Sequence, residues 1–151
     1  MKIEQPRNLG ISLNAKAAGT LEWNKAFAGQ WNGRYDLAQQ FVDNSVLRYS
    51  EPYLPFQTGM LRNSGITGSI PGTGEVVWNA PYARFLYYGK VMVSPSTGSS
   101  WAKSGERKVL TDRSLTYHGA PKRGAFWFER MKADHKESIL QGAKKIIGGN
   151  G

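Results

Sequence analysis

Hydrophobic positions along the chain change period several times, and each change predicts an element. Over residues 10–15, Ile11, Leu13 and Ala15 alternate with polar neighbours, the period-2 pattern of a strand, and Gly19 then breaks it. Trp23, Phe27 and Trp31 recur at i, i+4 and i+8, which is helical spacing interrupted by Gly29 and Gly33. A helix follows over 34–49, with Tyr35, Ala38, Val42, Val46 and Tyr49 on one stripe, widened by Leu37 and Phe41. Asp36 near its start and Arg48 near its end suit the helix dipole. Pro52 and Pro55 end it, and an extended connector leads to a turn at Thr58 and Gly59.

Residues 61–70 and 75–78 read as two strands of a hairpin around PGTG, because glycine supplies free φ and proline a preset one. In 75–78, Val76 and Trp78 alternate with Glu75 and Val77, so the hairpin would bury one face under the preceding helix. The densest cluster of bulky side chains comes next, NAPYARFLYYGK over 79–90. Pro81 and Gly89 punctuate it, and the residues between them fit one short turn of helix. Tyr82, Phe85 and Leu86 then share a face that docks on the sheet, while Tyr87 and Tyr88 point elsewhere with hydroxyls that need water or a partner.

No periodicity lasts over 90–124, and 94–105 is nearly all small or polar residues around Trp101. A long connection of this kind either binds something or stays disordered. Trp101 is a tether onto its own domain or an anchor into a neighbour, and 109–117 adds a strand or an arm. The last helix spans 125–147, with Phe128, Met131, His135, Ile139, Ala143 and Ile146 on its apolar stripe and Gly148 and Gly149 stopping it. His135 within that stripe reads as a packed, hydrogen-bonded residue. The elements compose one α+β domain over 1–151: a small antiparallel sheet against a central helix and a long C-terminal helix, with 90–124 as a flexible loop or arm.

Composition narrows the class. The 151 residues are 40% hydrophobic with five Trp, seven Tyr and six Phe, enough for a real core, while 18 Gly imply long irregular connections. The absence of cysteine excludes disulfides and thiolate metal sites. The opening MKIEQPRNLG lacks the apolar centre of a signal peptide, and no run reaches the ~20 apolar residues of a membrane span, so a soluble protein made in the cytoplasm is expected. The formal net charge of +9 favours phosphate-rich or acidic partners, or simply solubility. Within 90–123, Lys90, Lys103, Arg107, Lys108, Arg113, Lys122 and Arg123 outnumber Glu106 and Asp112.

Candidate chemistry is sparse. His118 and His135 stand apart, with no HxxxH, no HxH and no acidic cluster at metal-ligand spacing, so no metal and no cofactor are expected. No Walker-type or GxSxG motif occurs, and PGTGE leads toward a strand where a phosphate loop would open a helix. Glu129, Asp134 and Glu137 have the spacing of a solvated helix face.

The order of segments nevertheless resembles a family. YLPFQTGMLRNS carries Pro55, Thr58, Gly59, Leu61 and Ser64; WNAPYARFLYYG carries Asn79, Pro81, Tyr82, Ala83, Phe85 and Gly89; GAFWFERMK opens the last helix with Phe126 to Phe128. Together, over 37–145, they resemble the minor capsid or tail-completion proteins of long-tailed bacteriophages and prophages. Tyr87 and Tyr88 depart from that pattern, standing where the family often has an acidic residue. The resemblance implies a non-enzymatic virion protein of the head–tail neck, assembled in the bacterial cytoplasm as a ring of six copies, or of twelve. Its implied neighbours are connector or head-completion proteins, tail-terminator or tail-tube proteins and the DNA in the channel, with no membrane. Tyr82, Phe85, Tyr87, Tyr88, Trp101 and Tyr117 are then subunit-interface candidates. Lys103, Arg107, Lys108, Arg113, Lys122 and Arg123 are candidates for DNA or acidic partners. Two competing readings are a basic nucleic-acid-binding domain, from the charge and interleaved aromatics, and a small hydrolase using His118 or His135.

Overall fold

The computed structural model describes residues 2–14 and 17–148. Two long helices form its body: α1, Phe27–Ser50, and α4, Trp127–Gly148. They run antiparallel, since Arg34 near the start of α1 donates to the Ile147 carbonyl, Phe41 meets Gly142, and Tyr49 stacks on His135. The Tyr49 and His135 rings lie 4.5 Å apart at 9°, and the Tyr53 hydroxyl is 3.4 Å from His135 Nε2, so His135 packs and hydrogen-bonds as its place in the stripe implies.

α1 begins a full two turns before the predicted start. Trp23, Phe27, Trp31 and Tyr35 form a ladder with ring centroids 5.4, 6.1 and 6.3 Å apart. Such contacts between successive turns offset the cost of about 1 kcal/mol for each of Gly29 and Gly33 within the helix. At the other end a 3₁₀ turn, Glu51–Tyr53, carries Pro52 and delivers Tyr53 and Leu54 to the core.

The predicted hairpin over 61–70 and 75–78 does not form. Its first half is a helix, α2, Met60–Gly68, entered through Gly59 in the left-handed conformation at φ 78°. Leu61 and Gly65 bury its inner face at i, i+4 spacing, while Ile66 and Ile70, which a strand would have hidden, stay exposed. Residues 75–80 run extended along it without strand pairing, tied where Val77 N–H donates to Ser69 Oγ at 2.9 Å. Gly65 is required there, because a Cβ would lie 2.5 Å from Trp78 Nε1.

Both sheets are instead two-stranded antiparallel hairpins outside the helical body. β1, Leu9–Asn14, pairs with β2, Ala17–Leu21, with Leu9 opposite Leu21 and Ile11 opposite Gly19. Gly19, read as a break, is thus part of a strand; Ala15 lies outside the described residues. β3, Lys90–Val93, pairs with β4, Val109–Ser114, Met92 facing Leu110 and Val93 facing Val109. The segment without lasting periodicity is therefore a hairpin arm with its strands at the ends and Trp101 in the loop between them. The α+β class, central helix and long C-terminal helix hold, but the strands come from other segments than 61–78.

α3, Ala83–Tyr88, closes the core as one short helix and ends at Gly89, φ 68°. Tyr82, Leu86 and Tyr87 pack on a core of Tyr53, Leu54, Leu61, Ala83, Trp127, Met131 and Ile139. Tyr87 takes the inward place expected of Phe85, because Trp127 meets it edge-on at 4.7 Å. α4 starts two residues later than predicted, after Phe126, whose φ of 51° is incompatible with a helix. Among the described residues no helix is long and apolar enough to cross a membrane.

Candidate assembly surface

The aromatics of 82–88 distribute around α3. Tyr87 sits at the centre, edge-on to Tyr88, Phe126 and Trp127 with centroids 5.6, 5.4 and 4.7 Å away. Its hydroxyl donates to the Glu129 carboxylate. Burial first, then that hydrogen bond and the carboxylate charge, push the Tyr87 phenol well above its ordinary range, so it remains a donor. Half-buried Phe85 and exposed Tyr88 line a cleft with Met92, Lys108 and Leu110 of the arm. Tyr82 and Tyr117 lie on the opposite side, in a cleft with Phe56, Leu61, Leu86 and His118. Tyr117 donates to the Leu86 carbonyl at 2.5 Å, and burial raises its pKa.

Tyr88 also forms the rim of a second, wider groove of about 610 Å³ between α1, α3 and α4. Val42, Val46, Val76, Trp78, Tyr87 and Trp127 line it. Asp43 shapes its edge. This carboxylate, 2% exposed on α1, accepts from Gly72 N at 2.7 Å, Gly74 N at 3.0 Å and Gln39 Nε2 at 2.8 Å. PGTG is thereby a turn locked onto the helix, with Gly72 and Gly74 at positive φ. Nothing in the local sequence marked Asp43, which adjoins Val42 beside the apolar stripe, as the anchor of a turn some thirty residues later.

The arm carries the remaining candidates. Trp101 is 84% exposed, the least covered of the large apolar side chains among the described residues. Its loop is held from within by Glu106, which accepts from Ser94 Oγ and Ser96 Oγ at 2.7 Å and from Lys103 N at 3.0 Å. The Ser96 bond, then Ser94 and Lys103, hold the Glu106 carboxyl down at about 2. Lys103, Arg107 and Arg113 are exposed and Lys108 half-buried along the arm. Lys122 and Arg123 are separate from them, on the body. Lys122 lies over the Tyr53 ring, and Arg123 Nη1 donates to the Glu51 and Leu54 carbonyls at 3.0 and 2.8 Å, bracing the 3₁₀ turn.

His118 lines the Tyr82 cleft, whose lining includes no carboxylate, and His135 stacks on Tyr49 and meets Tyr53 edge-on. The described residues hold no group of His, Asp and Glu suited to a metal ion.

Surface area is the most telling global quantity. The chain exposes 11152 Å². A compact monomer of its mass, 16.7 kDa, would expose about 7,600 Å². Leu9, Ile11 and Leu21 of the first hairpin, Leu110 and Trp101 of the arm, and Tyr88 and Phe126 between them are among the apolar groups left in solvent.

Comparison with curated proteins and with solved structures finds no match. A family model described as minor capsid protein matches residues 32–117, from within α1 to the segment after β4. That stretch contains α2, the Asp43-locked turn, α3 and the whole arm, and leaves out the first hairpin and α4. Covering more than half of the chain, the match shows that this protein belongs to the minor capsid protein family of phages and is a structural component of the virion.

Proposed function

We propose that the protein is a neck component of a tailed phage, a tail-completion or head–tail joining subunit that acts by assembly and not by catalysis. Copies associate into a ring of six, or of twelve, stacked between connector or head-completion proteins on one side and tail-terminator or tail-tube proteins on the other. The observation that carries this reading is the excess of roughly 3,500 Å² of exposed surface over a compact monomer, because permanent interfaces bury 2,000–5,000 Å². Two protruding hairpins and a rim of exposed aromatics are suited to contacts with neighbours on both sides. The test is deletion of its gene from the phage or prophage that encodes it. Filled heads and separate, complete tails are expected. Intact virions, or failure to build any capsid shell, would overturn the neck assignment.

A second reading, contact with DNA in the channel, rests on the exposed Lys103, Arg107 and Arg113 of the arm. It predicts binding to short DNA whose affinity falls steeply with salt, and absence of binding at low salt would dismiss it.

A further inference from the structure

The groove between α1, α3 and α4 and the Trp101 tip of the arm match each other in kind, yet within one chain they do not meet, since the tip stands 84% exposed. We propose that the tip of one copy docks into this groove on a second copy, with Trp101 as the anchor. This rests on the self-assembly reading above and specifies its contact.

Three observations carry it. The groove, at about 610 Å³, falls within the range of clefts that take an organic group of this size. Its walls are the aliphatic faces of Val42, Val46 and Val76 and the rings of Trp78, Tyr87 and Trp127, surfaces onto which an indole packs edge-on or offset. Charge is complementary at the margins. Within the groove the buried, hydrogen-bonded Asp43 and the cation Arg84 offset each other, and beside it stand two exposed acids, Glu75, next to Val76, and Glu129, which accepts from Tyr87. Exposed Lys103 and Arg107 flank the tip, while its own acid, Glu106, is consumed by the loop's hydrogen bonds. Surface area is in keeping with such a partner: a Trp buries 150–250 Å², and the chain exposes roughly 3,500 Å² more than a compact monomer.

Groove and tip are different patches, so the contact is heterologous. It repeats from copy to copy and closes as a ring if the rotation allows, or continues as a filament if it does not. The internal bonding of the loop has a role here too. Glu106 presents Trp101 on a tied loop, which reduces the ordering entropy that docking would otherwise cost.

The native chain lacks cysteine, which makes a cross-linking test clean. Ser100→Cys chains, which keep Trp101, and Val76→Cys chains would be prepared separately, mixed and treated with a short bifunctional maleimide; the mass of unsubstituted protein would be recorded alongside, and Trp101→Ala titrated for assembly. The proposal expects a cross-linked pair between the two variants and at least about a 30-fold rise in the apparent dissociation constant for Trp101→Ala. Oligomers that form normally with Trp101→Ala and give no cross-link would overturn the docking mode and leave self-assembly standing. An Ile11→Cys chain that cross-links to Val76→Cys in place of the Ser100→Cys chain would assign the groove to the first hairpin and also overturn it. A protein that stays monomeric at every concentration, alone and with connector and tail proteins added, would remove both readings.

Discussion

Phe126 holds a φ of 51°, a region that costs a side-chain-bearing residue roughly 1–2 kcal/mol. The surroundings impose it: Phe126 N–H donates to the Tyr87 carbonyl at 2.9 Å, and its ring meets both Tyr87 and Tyr88. Two substitutions separate backbone from ring. Phe126→Ala loses the ring and keeps the strained backbone, whereas Phe126→Gly loses the ring and relieves it. Glycine is therefore expected to be the more stable of the two by about 1 kcal/mol in denaturant unfolding, and alanine equal to or above glycine would refute the strain. Glu106 gives a prediction in pH. Its folded value, about 2, lies below the ordinary 4.5, so its hold on the arm loop is complete above pH 4.5 and is lost as pH falls toward 2. The Lys103 amide should titrate in NMR with a midpoint near 2; a midpoint near 4.5 would mean the carboxylate is free in solution.

Elements divide by how local their causes are. α3 was legible because Pro81 and Gly89 punctuate it within nine residues, and α4 because its stripe persists through Ala143. α2 was misread because LRNSGITG is a short run that fits a strand as well as a helix. The choice is made elsewhere, by Gly65 under Trp78 and by Ser69 bonding Val77. An arm over 90–124 and a strand or arm over 109–117 were expected, but the pairing of Lys90–Val93 with Val109–Ser114 was not, because these strands are short and pair across a long loop, so no window of sequence contains the signal. Of the candidate surface, the aromatic cluster and Trp101 could be named in advance. The groove could not, since it is made from four separated segments and depends on Asp43 closing the PGTG turn. The α1 and α4 pairing depends on a glycine that helical periodicity also passes over. A Cβ at Gly142 would lie 2.4 Å from Phe41 Cζ. Gly142→Ala should therefore destabilise by about 1–3 kcal/mol despite its better helix propensity, measured as a lower denaturation midpoint. A stabilised variant would contradict the close approach.

As a whole, the molecule has a core too small for its surface. Among the described residues, a cluster of seven buried hydrophobics from the 3₁₀ turn and the residue after it, α2, α3 and α4 forms the core, with Val42, Val46 and Tyr49 of α1 packed against it, while both hairpins leave that body, and the first buries little apolar surface of its own. An isolated two-stranded hairpin is marginal in water. Exposed strand edges in a chain that must stay soluble are a liability unless a partner covers them, and the net charge of +9 moderates that liability through mutual repulsion. The proposed docking carries a salt dependence: with exposed Lys103 and Arg107 of the arm set against Glu75 and Glu129, raising ionic strength is expected to weaken assembly, although burial of Trp101 is less affected by salt. Membership of a virion family fits this form, because a subunit that stays apart until its neighbours are present keeps its assembly ordered.

The measurement that bears most directly on this account is the mass of the purified protein in solution, by native mass spectrometry or light scattering over a wide concentration range. It should then be repeated with connector and tail proteins added. A single closed oligomer is predicted, either alone or once those neighbours are present. A monomer unchanged by concentration and by both partners would contradict it.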